Sequence, residues 1–189
     1  MIRRCGKSRN DQKGTVMTAS NGRRRLARTV TDSPLGPLTL IASGGALAGL
    51  YMNGRTPASA DAAGAADGAD AAVLDEAVRQ LAEYFGGQRH AFDLPLALEG
   101  TAFQRRVWDA LLGIGYGQTV SYGQLAYQIG QPTAARAVGL ANGRNPVSII
   151  VPCHRVVGAD GSLTGYGGGL DNKQRLLELE RRVSGGSAG

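Results

Sequence analysis

The sequence predicts an α+β protein made of two units, a small N-terminal α/β unit followed by a mainly helical C-terminal unit with a helix-turn-helix. Three observations predict this. Short β-rich runs punctuated by turn residues fill 26–52, and one helical stripe follows over 71–85. Two capping boxes, Thr101-Ala102-Phe103-Gln104 and Ser121-Tyr122-Gly123-Gln124, then open closely spaced helices. Charge divides as the pattern does: residues 31–100 carry a net −6 and residues 101–189 a net +4.

Taken in order, residues 1–24 are polar, Arg-rich and aperiodic, which predicts a disordered basic extension. The N-terminal domain is expected over 25–98. Leu26–Val30 and Leu38–Ala42 read as strands joined by the turn-rich segment Thr31–Pro37, and Ala46–Met52 as a third strand. Thr56–Gly68, full of Ala, Gly and Asp, reads as a loose linker. Val73, Leu74, Ala77, Val78, Leu81 and Phe85 form a helical stripe over Ala71–Phe85 that Gly86-Gly87 ends. Phe92–Leu98 alternates and predicts a further strand. This unit presents no chemistry of its own.

The C-terminal domain is expected over 99–182, with a flexible tail at 183–189. Phe103, Val107, Trp108, Leu111 and Leu112 mark an amphipathic helix ending at Leu112, and a second runs from Ser121 to about Ile129. Gly130–Thr133 is a tight break. Thr133 is positioned to cap a third helix, Ala134–Asn142, and helix, short turn, helix is the helix-turn-helix arrangement. That third helix carries almost nothing larger than a methyl group on one face, with Arg136 the sole long side chain. Base-reading helices present Arg, Gln, Asn or Lys to the groove. This one suits close approach to a backbone, with Arg136 free to enter the space of a displaced base. A closing helix is expected over Asp171–Arg182, with Leu176, Leu177 and Leu179 inward and Glu180 near its end.

Composition limits the function classes. No apolar run approaches the ~20 residues of a membrane span, and no apolar stretch follows the N-terminal basic residues as in a secretory signal. The two cysteines, Cys5 and Cys153, lie in a polar tail and an apolar run, so a disulfide is not expected and a cytoplasmic setting is. With His90 and His154 the only histidines, no spacing fits a metal site, and no cofactor is expected.

The chemistry concentrates in Ile149-Ile150-Val151-Pro152-Cys153-His154-Arg155-Val156-Val157. It sets a thiol, an imidazole and a guanidinium side by side at the end of what reads as a buried strand. A thiol attacks as its thiolate, which a nearby base or cation favours. Successive side chains on a strand face opposite ways. Either the chain turns after Pro152, or a water links Cys153 to His154. The imidazole then needs a third group to fix its tautomer, and Asp160, Asp171, Glu178 and Glu180 are the nearby carboxylates. The glycine-dense loop Gly158–Gly169 carries one ring, Tyr166, and suits a pocket wall. A basic unit bearing a reactive cysteine points to a polyanion, nucleic acid first.

Together these motifs resemble the O6-alkylguanine-DNA alkyltransferases, or methylated-DNA–protein-cysteine methyltransferases. The resemblance is dense over 101–180. It is carried by Gly100–Gln104 with Val107-Trp108, Val120–Tyr122, Ala134–Gly139, Asn145-Pro146, Ile150–Val157 and Leu176-Leu177. It is looser over 26–98, mainly through Asp32–Leu38. It implies a ribonuclease H-like N-terminal domain and a winged-helix-like C-terminal one. It implies that Cys153 accepts the alkyl group, that His154 takes the thiol proton through a water, that Glu180 orients His154, and that Asn145 braces the turn before the active segment. Tyr122, Val156, Tyr166 and Gly167 are implied as contacts of a flipped guanine, and Arg136, Ala134, Ala135 and Gly139 as contacts of double-stranded DNA. Some members have Ser in place of Gly167, so one side-chain contact is absent here. The implied protein acts once per molecule, as a monomer on DNA. A lesion-binding relative that does not repair is expected to have Trp in place of Cys153. A helix-turn-helix regulator and a fused activator fit less well, for want of a base-reading face and of a Cys-rich module, and a cysteine hydrolase would turn over an ester or amide with no need for DNA.

Overall fold

The computed structural model describes residues 26–54, 56, 64, 66 and 68–185. The basic extension, with Cys5, lies outside the described residues, as do most of the expected linker and the last four residues.

Strands β1 (Ala27–Thr31), β2 (Leu38–Ser43) and β3 (Ala46–Met52) form an antiparallel sheet in that order. Helix α1 (Gly68–Phe85) packs across all three and buries Val73, Leu74, Ala77, Gln80, Leu81 and Tyr84. Asp70, in its first turn, accepts from Gly45 N at 2.6 Å. A carboxylate at a helix N-terminus is stabilised by the helix dipole, so this bond fixes α1 to the β2–β3 turn. The expected strand over Phe92–Leu98 does not form. Its chain runs beside β3, with Leu47 N donating to Pro95 O (2.8 Å) and Ala97 N to Leu47 O (2.9 Å). Pro95 has no N–H to continue a ladder. On the same edge Leu50 N donates to Pro146 O at 2.8 Å, so the N-terminal sheet holds the segment that leads to Cys153.

Both capping boxes form, on Thr101 for α2 (Ala102–Leu112) and on Ser121 for α3 (Tyr122–Gln128). Helix α4 (Ala135–Gly143) starts one residue later than expected, and its N-cap is Ala134 without a side-chain bond, so Thr133 does not cap it. Trp108 is buried and its Nε1 donates to Ala141 O at 2.9 Å, pinning α2 to α4. A Cβ on Gly100 would sit 2.6 Å from that ring, which ties this position to glycine. Strand β4 (Val120–Ser121) pairs in parallel with β5 (Val156–Val157). Helix α5 (Leu170–Gly185) exceeds its expected span at both ends and takes in the first three residues of the expected tail.

Candidate active site

The apolar run around Cys153 is not one strand. Ile149 is fully buried with φ at 72°, a left-handed conformation that a β-branched residue rarely adopts. Asn145 closes the loop that contains it: Nδ2 donates to Val151 O (2.8 Å), and Oδ1 accepts from Val147 N (3.0 Å). After Pro152 the chain makes a single 3₁₀ turn, Cys153–Arg155, and β5 begins only at Val156. The backbone therefore turns after Pro152. Alternation no longer separates the three side chains, and all three are buried.

His154 Nε2 lies 2.9 Å from Glu180 Oε1, so of the four nearby carboxylates α5 delivers Glu180. A carboxylate accepts, so Nε2 carries the proton and Nδ1 keeps its lone pair. Nδ1 is buried with no hydrogen-bond partner among the described residues. Arg155 is not beside the sulfur to favour a thiolate. It turns onto Glu180, with Nη2 at 2.8 Å from Oε1 and Nε at 3.0 Å from Oε2, and Nη1 donates to Ile114 O at 2.5 Å. Gly117 N adds a bond to Oε2 at 3.0 Å, which its φ of 72° permits. Burial raises the Glu180 carboxyl, yet bonds from His154 and Arg155 outweigh it and hold the group at about 2.

Cys153 is 3% exposed. Burial pushes its thiol above the ordinary 9.0, against the pull of Asn145 and Ser148. Burial also pushes the His154 imidazole below 6.5, outweighing Glu180. At neutral pH the sulfur is therefore a thiol and the adjacent residue a neutral imidazole with an unclaimed Nδ1, an acid and a base in one buried turn.

Other groups arrange the surroundings. Lys173 is completely buried, and its Nζ donates to Val156 O (2.6 Å) and Thr164 O (2.7 Å), joining β5 to the glycine-rich loop. Its ammonium also acts favourably on a Cys153 thiolate. Tyr122 Oη donates to Thr164 O at 3.2 Å, so the start of α3 meets that loop. Tyr166 is buried, its ring edge-on to His154 at 6.5 Å, while Gly167 is exposed. Gly167, Asn145, Ser148 and Arg144 line a cavity of about 470 Å³ against Tyr51 and Met52. Cys153 does not line it.

On α4 the exposed face holds Arg136, Ala137, Leu140, Gly143 and Arg144. Ala134 and Ala135 are half-buried, and Gly139 faces the Tyr122 ring, where a Cβ would lie 3.6 Å away. Arg136 is thus exposed as expected but is not the sole long side chain, because Leu140 stands 62% exposed one turn on.

Sequence reasoning missed Tyr84, Gly117 and Lys173. Two of them had a signal. Tyr84 lies at i+3 from Leu81 on the stripe that marked α1, and Lys173 stands at i−3 from Leu176 and i−7 from Glu180, on the inward face of α5. Gly117 contributes only its backbone, which no residue pattern announces.

An α+β fold with a helix-turn-helix set against a buried Cys–His–Glu arrangement defines a class of DNA-associated, cysteine-centred proteins. Residues 26–98 match the ribonuclease-like domain of the 6-O-methylguanine DNA methyltransferase family, and residues 102–182 match its DNA-binding domain. The chain is 55% identical over 154 residues to a methylated-DNA–protein-cysteine methyltransferase of Mycobacterium bovis, covering 82% of this chain and 91% of that one. It is 56% identical over 157 residues to that of Mycolicibacterium paratuberculosis, covering 83% and 93%. Among solved structures, the Mycobacterium tuberculosis O6-methylguanine methyltransferase superposes with a TM-score of 0.76 at 52% identity, covering 84% of this chain and 94% of that one. The Mycobacterium tuberculosis OGT protein in complex with DNA does so at 0.75, with the same identity and coverage. The chain belongs to the 6-O-methylguanine DNA methyltransferase family.

Among the described residues no helix is long and apolar enough to cross a membrane. No group of three potential metal ligands occurs among them either.

Proposed function

We propose that this chain repairs double-stranded DNA by moving the alkyl group of O6-alkylguanine irreversibly onto Cys153. The observation that carries this reading is the His154–Glu180 bond at 2.9 Å, which leaves Nδ1 as a free base on the residue next to a buried thiol. In the proposed step the thiol proton passes through a bridging water to His154 while Glu180 stabilises the imidazolium. Sulfur attacks the alkyl carbon, the S–C bond forms, and the C–O6 bond breaks. The departing guanine takes that proton from the imidazolium, again through water, and is left unmodified. The thioether is stable, and no second free cysteine occurs among the described residues to take up the group, so each molecule acts once. Asn145 holds the turn before Cys153. Val156, Tyr166 and Gly167 line the base site, and Tyr122 guides the rotated nucleotide.

Reaching a sulfur this buried requires the base to leave the duplex, and a damaged pair unstacks at lower cost, which selects lesions without reading sequence. In this reading Arg136 fills the vacated space, flanked by Ala134, Ala135 and Gly139. We take residues 25–98 and 99–182 as the two domains, and the protein as a cytoplasmic monomer without cofactor. A lesion binder that does not repair is disfavoured by the presence of Cys153.

The test is incubation with a duplex labelled on the O6-methyl group. Label should pass to protein and leave intact guanine in the DNA; label that stays in the DNA, or leaves as a free small molecule, contradicts the reading. Arg136→Ala should slow transfer from duplex about tenfold, since a stacking substitute worth roughly 1–2 kcal/mol is lost. Its melting point should barely move, because the side chain is exposed. An unchanged rate on duplex would remove Arg136 from this role.

A further inference from the structure

The N-terminal unit reads in sequence as scaffold, yet one of its side chains ends on the relay. Tyr84, in the last turn of α1, is completely buried, and its Oη donates to Glu180 Oε1 at 2.7 Å across 96 positions of sequence. That same oxygen is the one facing His154 Nε2 at 2.9 Å. The Tyr84 ring is fixed by its neighbours, edge-on to Phe85 (5.4 Å) and Tyr116 (5.9 Å) and tilted against Phe92 (5.3 Å). Burial, then the Glu180 charge, push the phenol well above its ordinary range, so it remains a donor at any working pH.

We propose that Tyr84 is a positioning residue of the alkyl-transfer step: its hydroxyl holds Glu180 Oε1 in place and shares that oxygen's charge, which sets how strongly His154 takes up the thiol proton. The proposal rests on the repair reading above. A carboxylate oxygen that serves several donors, here the phenol, His154 Nε2 and Arg155 Nη2, gives less of its charge to each. Without the phenol, His154 feels more of it and holds a proton more firmly. The other charged groups acting on His154 are Arg155 beside it and Lys173 on α5, both of which disfavour the imidazolium; Cys153 and Tyr166 are neutral neighbours. Only the neutral imidazole can accept the thiol proton, so the acid limb of the transfer rate reports the balance.

Tyr84→Phe and Tyr84→Leu both lack the hydroxyl but pack differently. In both, the midpoint of the acid limb should move up by about half a pH unit, which is roughly a threefold loss of rate below it. The alkaline plateau and duplex affinity should change by less than about twofold. The His154 ring titration followed by NMR should move by the same amount, and Tyr84→Phe should move nothing in a Glu180→Gln background. An unmoved limb with an unmoved His154 titration overturns the proposal, as does a shift that persists without the Glu180 charge. In the unmutated chain a slowly exchanging Tyr84 hydroxyl proton should show a cross-peak to the His154 Nε2 proton; its absence overturns the proposal whether or not the variants fold. If the unmutated chain transfers no alkyl group the repair reading fails, while the His154 titration still decides the Tyr84 claim.

Discussion

Replacing Cys153 with alanine abolishes alkyl transfer and leaves duplex binding within about threefold. Loss of transfer is complete because the reaction ends as a bond to this sulfur; no second described cysteine can substitute. Binding persists because the exposed face of α4, with Arg136 and Arg144, lies away from the buried thiol. Cys153→Ser is equally inactive on this account. Burial already holds the thiol above 9.0, so even sulfur needs His154 to be deprotonated, and a hydroxyl in the same place is far more reluctant. Stability should change by about 1 kcal/mol or less, since little volume is lost. Residual methylation of the alanine variant, measured as label incorporated per molecule, would move the nucleophile elsewhere.

Arg155→Met destabilises the fold by about 3–5 kcal/mol, because it leaves Glu180 as a buried charge without its guanidinium partner. For a chain of this size that is a fall in melting temperature of roughly 10 °C. The effect has a defined pH dependence. Glu180 is depressed in the folded state from 4.5 to about 2. Its stabilising contribution is therefore complete above 4.5 and disappears as pH falls toward 2. The gap between the native and variant proteins should be widest near neutrality and close through that window. His154 acts in the same direction: its folded-state affinity for protons is lowered, so stability also falls as pH drops below 6.5. Thermal melts from pH 7 to pH 3 check both statements. A gap that does not narrow in acid would mean that Arg155 acts by packing, through its contact with the Tyr116 ring, and not through the carboxylate.

Much of this site could be read before any coordinates. Cys153, His154 and Arg155 are adjacent in sequence, and Glu180 was one of four candidate carboxylates; only the approach of α5 to the 3₁₀ turn singles it out. The helices were legible where local chemistry sets them, at the Thr101 and Ser121 capping boxes. They were less legible at α4, where Ala134 caps with no side-chain bond. The strand expected through Cys153 failed because apolar composition does not reveal a backbone reversal. The left-handed Ile149 is imposed by Asn145 bridging to Val147 and Val151, a tertiary constraint that overrides local preference. Arg155 was misjudged for a related reason: sequence adjacency placed it by the sulfur, whereas a buried carboxylate from another helix claims it. Tyr84 escaped notice because its helix read only as core, and a tyrosine at a core position discloses its polar partner only when the two units meet.

The most direct measurement is the intact mass of the protein after incubation with excess O6-methylguanine duplex, followed by peptide mapping. The account predicts that every molecule gains the mass of one methylene and no more, on the peptide containing Cys153, with substrate consumption stopping at one equivalent. Continued consumption beyond one equivalent, or a methyl group mapped to any other residue, would contradict it.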